Sequence, residues 1–308
     1  MNTSPVATAL NAVDLAAAHA FRNLTMFPLI AKGERTPDYL TLDEAMAGGT
    51  VRITEVGQAG TVPELSLRND GLTRVLLLDG EELLGAKQNR VLNLTILVPP
   101  VSDLVIPVSC VESGRWRHVS RDFSSSPRTH FAEGRAAKMR TVTESMHREG
   151  SRRSDQGQVW GAIAAKASSL GTDSETGAMA DVFERHADRV ADFVNALPSL
   201  PNQAGAIFAI NGRVIGLELF DAPSTWQKLA PKLVRSYALD AIDRASEPAS
   251  ALAEEARAFM AAVAAIEPSM FPSTGVGMDM RLSSERLNGA ALIVDNQTVH
   301  LSAFAAQG

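Results

Sequence analysis

A polar window at residues 79–90 is the first place in the chain where side chains could carry out chemistry. It holds three carboxylates, a lysine, an arginine and two amides within twelve residues, and it lies between two apolar stretches. Two glycines in the window would let the backbone approach a ligand closely. A charged loop that only joins two strands would have much the same composition, so both interpretations stay open.

Each polar side chain of this window has a chemical role that its type permits. Glu81 or Glu82 could serve as a general base or a metal ligand. The basic side chains could meet an anionic group, and the amides could supply directional hydrogen bonds. The candidate substrate-binding residues of this window are Gly80, Lys87, Gln88, Asn89 and Arg90.

A second window ends an apolar strand with the only cysteine of the chain. Cys110 and Glu112 share one face of that strand by its two-residue period. A thiol becomes a nucleophile when a nearby cation lowers its pKa, and Arg115 is close in sequence. A buried cysteine acting as a small apolar residue is the simpler interpretation. Glu112 and Arg115 could equally form a structural ion pair with Trp116 packed beside it. The candidate catalytic residues are therefore Glu81, Cys110 and Glu112, and the binding candidates here are Arg115 and Trp116.

The six histidines have no metal-ligand spacing, because no pair stands at i,i+4 on a helix or i,i+2 on a strand. The chain also has no HExxH motif, no G-x-S-x-G elbow and no phosphate-loop or dinucleotide fingerprint. His300, on the last predicted strand, is a further binding candidate, although a sheet histidine with ordinary partners would look the same. We predict no metal site, and the cofactor stays unknown.

The elements that must position these residues indicate an α+β fold. Alternating and apolar runs predict a strand-rich, mostly antiparallel unit over residues 50–116. Helical patterns follow in the middle of the chain, and hairpins close a sheet at its end. The Asn211-Gly212 pair between two apolar runs is the strongest hairpin signal. The predicted helices span about 5–21, 133–148, 158–168, 174–197, 224–245 and 248–266, with Ser224 as a cap and Pro231 as a kink or the end of a short first segment.

Charge is unevenly distributed along the chain. The 308 residues carry a formal net charge of −6, but residues 112–156 contain ten Lys or Arg and six Asp or Glu. We interpret residues 117–156 as a basic loop or lid, between a strand-rich unit at 20–116 and a helix-and-hairpin unit at 157–308, within one family domain spanning 1–308. The mild acidity argues against a nucleic-acid partner, and no apolar run is long enough to span a membrane. We expect a cytoplasmic protein, and a homo-oligomer stays open.

The two windows also resemble the signature of a known family. The runs Gly80–Arg90, Pro107–Glu112, Gly114–Trp116 and Gln156–Trp160 are similar to those of the ARG-and-rhodanese-phosphatase-superfamily-associated protein family, where ARG abbreviates ADP-ribosylglycohydrolase. The Asn211-Gly212 hairpin, the Trp226–Tyr237 helix and the His300–Phe304 ending fit as well. The resemblance covers roughly residues 20–305. The family name implies an association with nucleotide-derived or phosphate-bearing ligands, and it implies no particular reaction.

Two hypotheses from different classes follow. In the first, the protein is an enzyme that hydrolyses or transfers a group on an ADP-ribose-like small molecule, with a carboxylate as general base and Lys and Arg side chains binding the anion. In the second, the same pocket belongs to a non-catalytic binding or sensor module, whose carboxylates pair with its basic residues. Both predict an anionic small-molecule ligand. A scaffold in which both windows are structural ion-pair networks is a third interpretation.

Overall fold

We describe the protein from a computed structural model, which describes residues 4–57, 60–245 and 251–306. These ranges contain eight helices and eighteen strands. The helices are α1 Pro5–Asn11, α2 Leu42–Ala47, α3 Ala132–Glu149, α4 Gln156–Ser169, α5 Met179–Arg185, α6 Ala187–Ala196, α7 Pro223–Asp243 and α8 Ala253–Ala265. The strands are β1 Val13–Leu15, β2 His19–Phe21, β3 Leu24–Ala31, β4 Tyr39–Thr41, β5 Val51–Glu55, β6 Glu64–Asn69, β7 Arg74–Leu77, β8 Glu81–Gly85, β9 Arg90–Leu92, β10 Ile96–Val98, β11 Ser102–Cys110, β12 Phe123–Thr129, β13 Gln203–Ile210, β14 Arg213–Phe220, β15 Ser269–Pro272, β16 Met278–Ser283, β17 Leu287–Val294 and β18 Gln297–Ala305.

The predicted α+β class with antiparallel sheets is confirmed. All strand pairs in the described ranges are antiparallel except β4 with β7. The last three strands, β16, β17 and β18, join the largest sheet as two hairpins, as the closing-sheet prediction required. The chain divides into two compact units, one of Met1–Pro37, Asp188–Ser273 and Gly277–Gly308 and the other of Asp38–Ala187 and Thr274–Val276.

The first unit is built on a nine-stranded sheet in the order β1-β3-β13-β14-β18-β17-β16-β15, with β2 on β3. One face of this sheet packs on α1 and α8 through residues such as Leu10, Ile207 and Val263. The other face packs on α7, where the rings of Phe208 and Tyr237 stack with their centroids 4.0 Å apart. Because both faces are covered, the central strand β13 is buried along its whole length and reads as a continuous apolar run.

The hairpin predicted at Asn211-Gly212 is confirmed. It joins β13 and β14, and both turn residues have positive φ, +52° for Asn211 and +77° for Gly212. A type I′ turn needs this conformation at both central positions, and asparagine and glycine adopt it at the lowest cost.

The second unit contains a six-stranded sheet in the order β12-β8-β9-β11-β6-β5 and a three-stranded sheet in the order β10-β7-β4. The helices α2, α3, α4 and α5 belong to this unit. Both predicted windows lie on the six-stranded sheet, where β9 pairs directly with β11 and Cys110 stands opposite Arg90.

Several local predictions differ from the structure. The helix expected at 5–21 ends at Asn11, because Val13–Leu15 instead pairs with β3 and gains ladder hydrogen bonds. The helix expected at 174–197 is two helices, α5 and α6, which meet where the His186 ring contacts the carbonyl of Leu170.

The helix predicted from Ser224 begins at Pro223 instead. Its N-cap residue, Ala222, makes no side-chain cap, and a proline at the first position already has the helical φ. The helix continues through Pro231 to Asp243, so the interior proline does not end a short first segment. Residues 248–250 of the helix predicted at 248–266 lie outside the described residues, and α8 accounts for most of the remainder.

The basic stretch folds largely into regular structure. The helix predicted at 133–148 is confirmed as α3, and residues 123–129 form the edge strand β12. Arg135 and Lys138 of α3 are fully buried, and Lys138 donates to the carboxylate of Asp79 and to the carbonyl of Leu92. Part of the basic charge is therefore internal rather than displayed on a surface. Of this stretch, residues 113–122 contain neither helix nor strand.

In the described ranges, no helix combines the length and the hydropathy that a bilayer crossing requires.

Candidate functional site

The 79–90 window is a hairpin rather than a single loop. After the Asp79-Gly80 turn it forms β8, and its last residue begins β9, so the longest irregular part is the turn between these two strands. Gly85 has φ +126° and Ala86 has φ +40°, and a Cβ on Gly85 would lie 2.5 Å from the Ser120 hydroxyl. The turn therefore depends on a residue without a side chain at this point.

The two glutamates of β8 point to different surroundings. Glu82 is fully buried and accepts hydrogen bonds from the Ser126 hydroxyl at 2.7 Å and from Arg128 Nε at 2.8 Å. Burial raises the pKa of Glu82, and Arg128 only partly offsets that effect. Glu81 is also buried, and its carboxylate accepts from the amide of Leu78 at 3.2 Å.

Glu112 and Arg115 form a buried ion pair at the end of β11. Arg115 Nη2 lies 2.6 Å from Glu112 Oε2, and the side chains are 8% and 7% exposed. The same Oε2 accepts from the Asn89 amide at 3.1 Å, and Oε1 accepts from the Thr176 hydroxyl at 3.0 Å. Arg115 also donates to Asn89 Oδ1 at 3.1 Å and to the Ala86 carbonyl at 2.8 Å. This pair ties the β8–β9 turn to the end of β11.

The environment of Glu112 is unfavourable for a general base. Burial alone would raise its pKa, but hydrogen bonds from Arg115, Asn89 and Thr176 outweigh burial, and the pKa is lowered. A base that takes a proton at neutral pH needs a pKa nearer to 7 and a free oxygen directed at the substrate. Glu112 therefore acts here as an anchor for the turn.

Arg90 is the most unusual residue of the cluster. Its side chain is 0% exposed, and it forms no ion pair within the described ranges. Nη1 donates to Gln88 Oε1 at 3.0 Å, whereas Nε and Nη2 are buried and have no hydrogen-bond partner among the described residues. Burial lowers the pKa of Arg90, but a guanidinium stays charged in proteins.

Trp116 lies next to this guanidinium. The Arg90 Cζ atom is 5.8 Å from the centroid of the indole ring, and Lys87 Nζ is 5.1 Å from the same ring. Trp116 is 49% exposed and belongs to the irregular segment 113–122. An aromatic ring with an open surface thus lies beside two cations, an arrangement that cation–π attraction stabilises.

Cys110 is fully buried opposite Arg90 on the neighbouring strand. Burial raises the pKa of its thiol, and the positive charge of Arg90 offsets this only in part. The Gln156 amide fixes the backbone on both sides, since Oε1 accepts from the Cys110 amide and Nε2 donates to the Cys110 carbonyl, each at 2.8 Å. A protonated, inaccessible thiol is a poor nucleophile.

The structure thus places most of the predicted residues of the two windows around one hairpin end. The residues joined by direct contacts or by strand pairing there are Lys87, Gln88, Asn89, Arg90, Cys110, Glu112, Arg115 and Trp116. Glu81 and Gly80 lie at the other end of β8, where a Cβ on Gly80 would meet Arg135.

His300 belongs to the other compact unit. There its Nε2 lies 3.3 Å from Glu218 Oε2, and its ring stacks on Phe220.

Three residues outside the predicted site complete the cluster. They are Gln156, Thr176 and Glu55, whose Oε1 accepts from the Lys87 amide at 3.2 Å. Gln156 stands in a motif that carries the family resemblance, so one signal for it existed. Glu55 and Thr176 are distant in sequence, and no local pattern marks them. Across the described ranges, no group of three His, Cys, Asp or Glu side chains could hold a metal ion.

The protein has an α+β fold. In its second unit, the buried Arg90 has two nitrogens without a hydrogen-bond partner among the described residues, and the exposed ring of Trp116 lies next to its guanidinium. A family model matches residues 12–304, and the chain belongs to the ARG and Rhodanese-Phosphatase-superfamily-associated Protein (ARPP-1) family. The resemblance predicted from the two windows is confirmed. The family name links the protein to ADP-ribosylglycohydrolase and rhodanese-phosphatase contexts. No curated protein and no solved structure matches the chain.

Proposed function

We propose that the second unit binds a phosphate-bearing, nucleotide-like small molecule at Arg90. We call this the Arg90 site and define it by Lys87, Arg90, Cys110 and Trp116. The observation that carries the proposal is the pair of unpartnered, buried nitrogens on the Arg90 guanidinium. A buried donor left unpaired costs about 1–3 kcal/mol, more for a charged group, so an acceptor that reaches it is bound strongly.

The identity of the two nitrogens favours an oxyanion. Nη1 is occupied by Gln88, which leaves Nε and Nη2. These two atoms form one edge of the planar guanidinium, and their N–H bonds run parallel. Two oxygens of a phosphate or carboxylate match such an edge in a bidentate contact, which a single carbonyl cannot do.

The surroundings of Arg90 favour a ligand that also has a planar group. Glu112 is ion-paired with Arg115, and Glu55 and Glu112 favour the charged form of Arg90 only from a distance, because neither carboxylate forms an ion pair with its guanidinium. Trp116 is the half-exposed part of the site, and an incoming anion would displace its ring from the guanidinium. The displaced indole then offers a face for stacking on a nucleobase, and Lys87 adds a second positive charge.

These contacts support the binding or sensor hypothesis more directly than the catalytic one. The carboxylate of Glu112 is bonded to Arg115 and to the Asn89 amide of the β8–β9 turn. The thiol of Cys110 is buried, and burial raises its pKa, so it is protonated at neutral pH. The role of Glu81 as a general base, and hydrolysis or transfer on the ligand, stay predictions. The family context agrees with a nucleotide-derived ligand.

Arg90→Met tests the proposal, because methionine fills a buried site without a charge. Isothermal titration with ADP-ribose and with inorganic phosphate should show binding to the parent protein and at least a tenfold loss in the variant. Removing a buried charge that forms no ion pair should leave the melting temperature unchanged or raise it. Loss of binding with stability retained therefore separates a ligand site from a structural arginine.

The matched control is Arg117→Met, since Arg117 is exposed one residue beyond Trp116. It should bind both probes as the parent does. Trp116→Ala should weaken ADP-ribose more than phosphate, because only ADP-ribose can stack. Failure of the parent to bind either probe, or full binding by Arg90→Met, would refute the Arg90 site.

A further inference from the structure

The first unit contains a cavity that is independent of the Arg90 site. It has a volume of about 370 Å³ and lies between α1, the ends of β3 and β14, and the turn that leads into β18. This volume is within the range of about 300–1,000 Å³ that is usual for small-molecule sites. Its lining combines small and apolar residues, which we call the apolar side, with polar groups, which we call the polar side.

The apolar side consists of short side chains. Ala9 comes from α1 and Ala12 is its C-cap residue, whereas Val13, Ala204 and Leu219 come from the sheet. Alanine at these positions leaves the space that a larger residue would fill. A ligand with an apolar group of a few carbon atoms would find van der Waals contact along this wall.

The polar side is organised around one ion pair. Arg35 Nη2 lies 3.2 Å from Asp221 Oδ2, and the Asp221 side chain is only 2% exposed. Arg35 Nη1 also donates to Gln297 Oε1, which fixes the guanidinium from a second direction. The Arg35 side chain is 39% exposed, so the residue is accessible to a ligand that enters from solvent.

Thr298 supplies an independent observation. The residue is 6% exposed and lines the cavity, and its hydroxyl has no hydrogen-bond partner among the described residues. Buried hydroxyls are normally bonded, and an unsatisfied one marks a place where a partner is missing. The hydroxyl oxygen itself is covered, so a ligand in the cavity could supply that partner once the Thr298 side chain rotates about χ1.

The charges of the polar side select the chemistry of the ligand. Arg35 carries one positive charge, and Asp221 and Glu34 carry two negative charges. A ligand with only a carboxylate would meet net negative charge, and a ligand with only an ammonium group would offer no acceptor to the N–H donors of Arg35. A zwitterion, with both groups on one carbon atom, can place its carboxylate at Arg35 and its ammonium at Asp221.

We propose that this cavity binds a free α-amino acid with an apolar side chain. The carboxylate accepts from Arg35 and from the Thr298 hydroxyl, the ammonium donates to Asp221, and the side chain packs on the wall of Ala9, Ala12 and Leu219. The site needs no other part of the chain than the first unit, and its ligand is of a different class from that of the Arg90 site.

Isothermal titration of the whole protein with L-leucine tests this proposal. The two partial analogues, 4-methylpentanoate without the ammonium group and 3-methylbutylamine without the carboxylate, should each bind at least tenfold more weakly. Glycine should also bind at least tenfold more weakly, because it lacks the apolar group. Equal affinity for leucine and either analogue, or no heat with leucine at millimolar concentration, would overturn the proposal.

Two variants connect the binding to the named residues. Arg35→Gln should abolish leucine binding, and Thr298→Val, which keeps the shape and removes the hydroxyl, should weaken it about fivefold to tenfold. Arg286→Gln, on an exposed residue of the same unit, should bind leucine as the parent does. Circular dichroism confirms that each variant is folded. Leucine binding that Arg35→Gln leaves intact would locate the amino acid elsewhere and reject this cavity.

Discussion

His130 should make the protein less stable as the pH falls below 7. The residue links β12 to α3 and is completely buried, and its Nδ1 faces the Phe131 carbonyl at 3.2 Å. A carbonyl only accepts hydrogen bonds, so Nδ1 carries the proton of the neutral ring. Burial lowers the pKa of His130 from 6.5 to about 3, and the positive charges of Lys138, Arg135 and Lys166 act in the same direction.

The size of the effect follows from proton linkage. In the unfolded chain the imidazole binds a proton near pH 6.5, whereas in the folded protein it stays neutral. Because the folded pKa is the lower one, the stability is fully present above 6.5 and is lost as the pH falls towards about 3. pH 5 lies 1.5 units below the ordinary histidine pKa of 6.5. Proton binding to the unfolded chain therefore lowers the free energy of unfolding at pH 5 by ~2 kcal/mol.

Two measurements check this prediction. In ¹⁵N NMR of the folded protein, the ring of His130 should remain neutral at pH 5. Urea unfolding gives the free energy of unfolding at pH 8 and at pH 5. Its decrease between these two pH values should be about 2 kcal/mol smaller in His130→Gln than in the parent protein. His147→Gln is the matched control, since His147 is exposed on α3. A folded-state titration of His130 near pH 6.5 would refute the argument from burial.

Three further predictions concern buried groups. Gly134→Ala should destabilise the protein by about 3 kcal/mol, because its Cβ would lie 1.7 Å from the neighbouring imidazole. A Cβ on Gly161 of α4 would meet nothing within 4 Å, so Gly161→Ala should stabilise the helix by about 0.5–1 kcal/mol. Chemical denaturation measures the free energy of unfolding of both variants, and equal changes would contradict the close packing at Gly134. Lys138→Met should cost about 3 kcal/mol, because the buried Asp79 carboxylate loses its close cation and keeps Arg135 Nε at 3.8 Å from Oδ2. Arg140→Met at an exposed ion pair should cost less than about 1 kcal/mol in the same measurement. The thiol of Cys110 should not react with Ellman's reagent until the protein is unfolded, and rapid labelling of the native protein would show that the residue is accessible.

The elements that a local pattern can define were predicted best. The antiparallel strands within residues 50–116, the helix at about 133–148 and the Asn211-Gly212 hairpin follow from periodicity and turn chemistry, which depend on neighbouring residues. The N-terminal helix was predicted too long, because pairing with a strand that is distant in sequence competes with the helical propensity of alanine. A local pattern contains no information on such a partner.

The candidate site shows the same division. The residue types of the two polar windows could be seen in the sequence, and so could the family, but the pairing of β9 with β11 that brings the windows together could not. The sequence could not show that the carboxylate of Glu112 is held by Thr176, or that Gln156 holds the backbone of Cys110, because these contacts join residues 64 and 46 positions apart. Nor could it show that a lysine of the basic stretch is buried against Asp79, which is 59 positions away.

The sequence by itself determined the α+β class, the family and the residues from which a site could be built. Only the tertiary structure decided which of those residues keep hydrogen-bonding atoms without a partner. Glu112 has both oxygens occupied, whereas Arg90 keeps one edge of its guanidinium unpaired. The reason is that the reactivity of a polar group depends on its burial and its partners, and both are set by residues that folding brings together from distant parts of the chain.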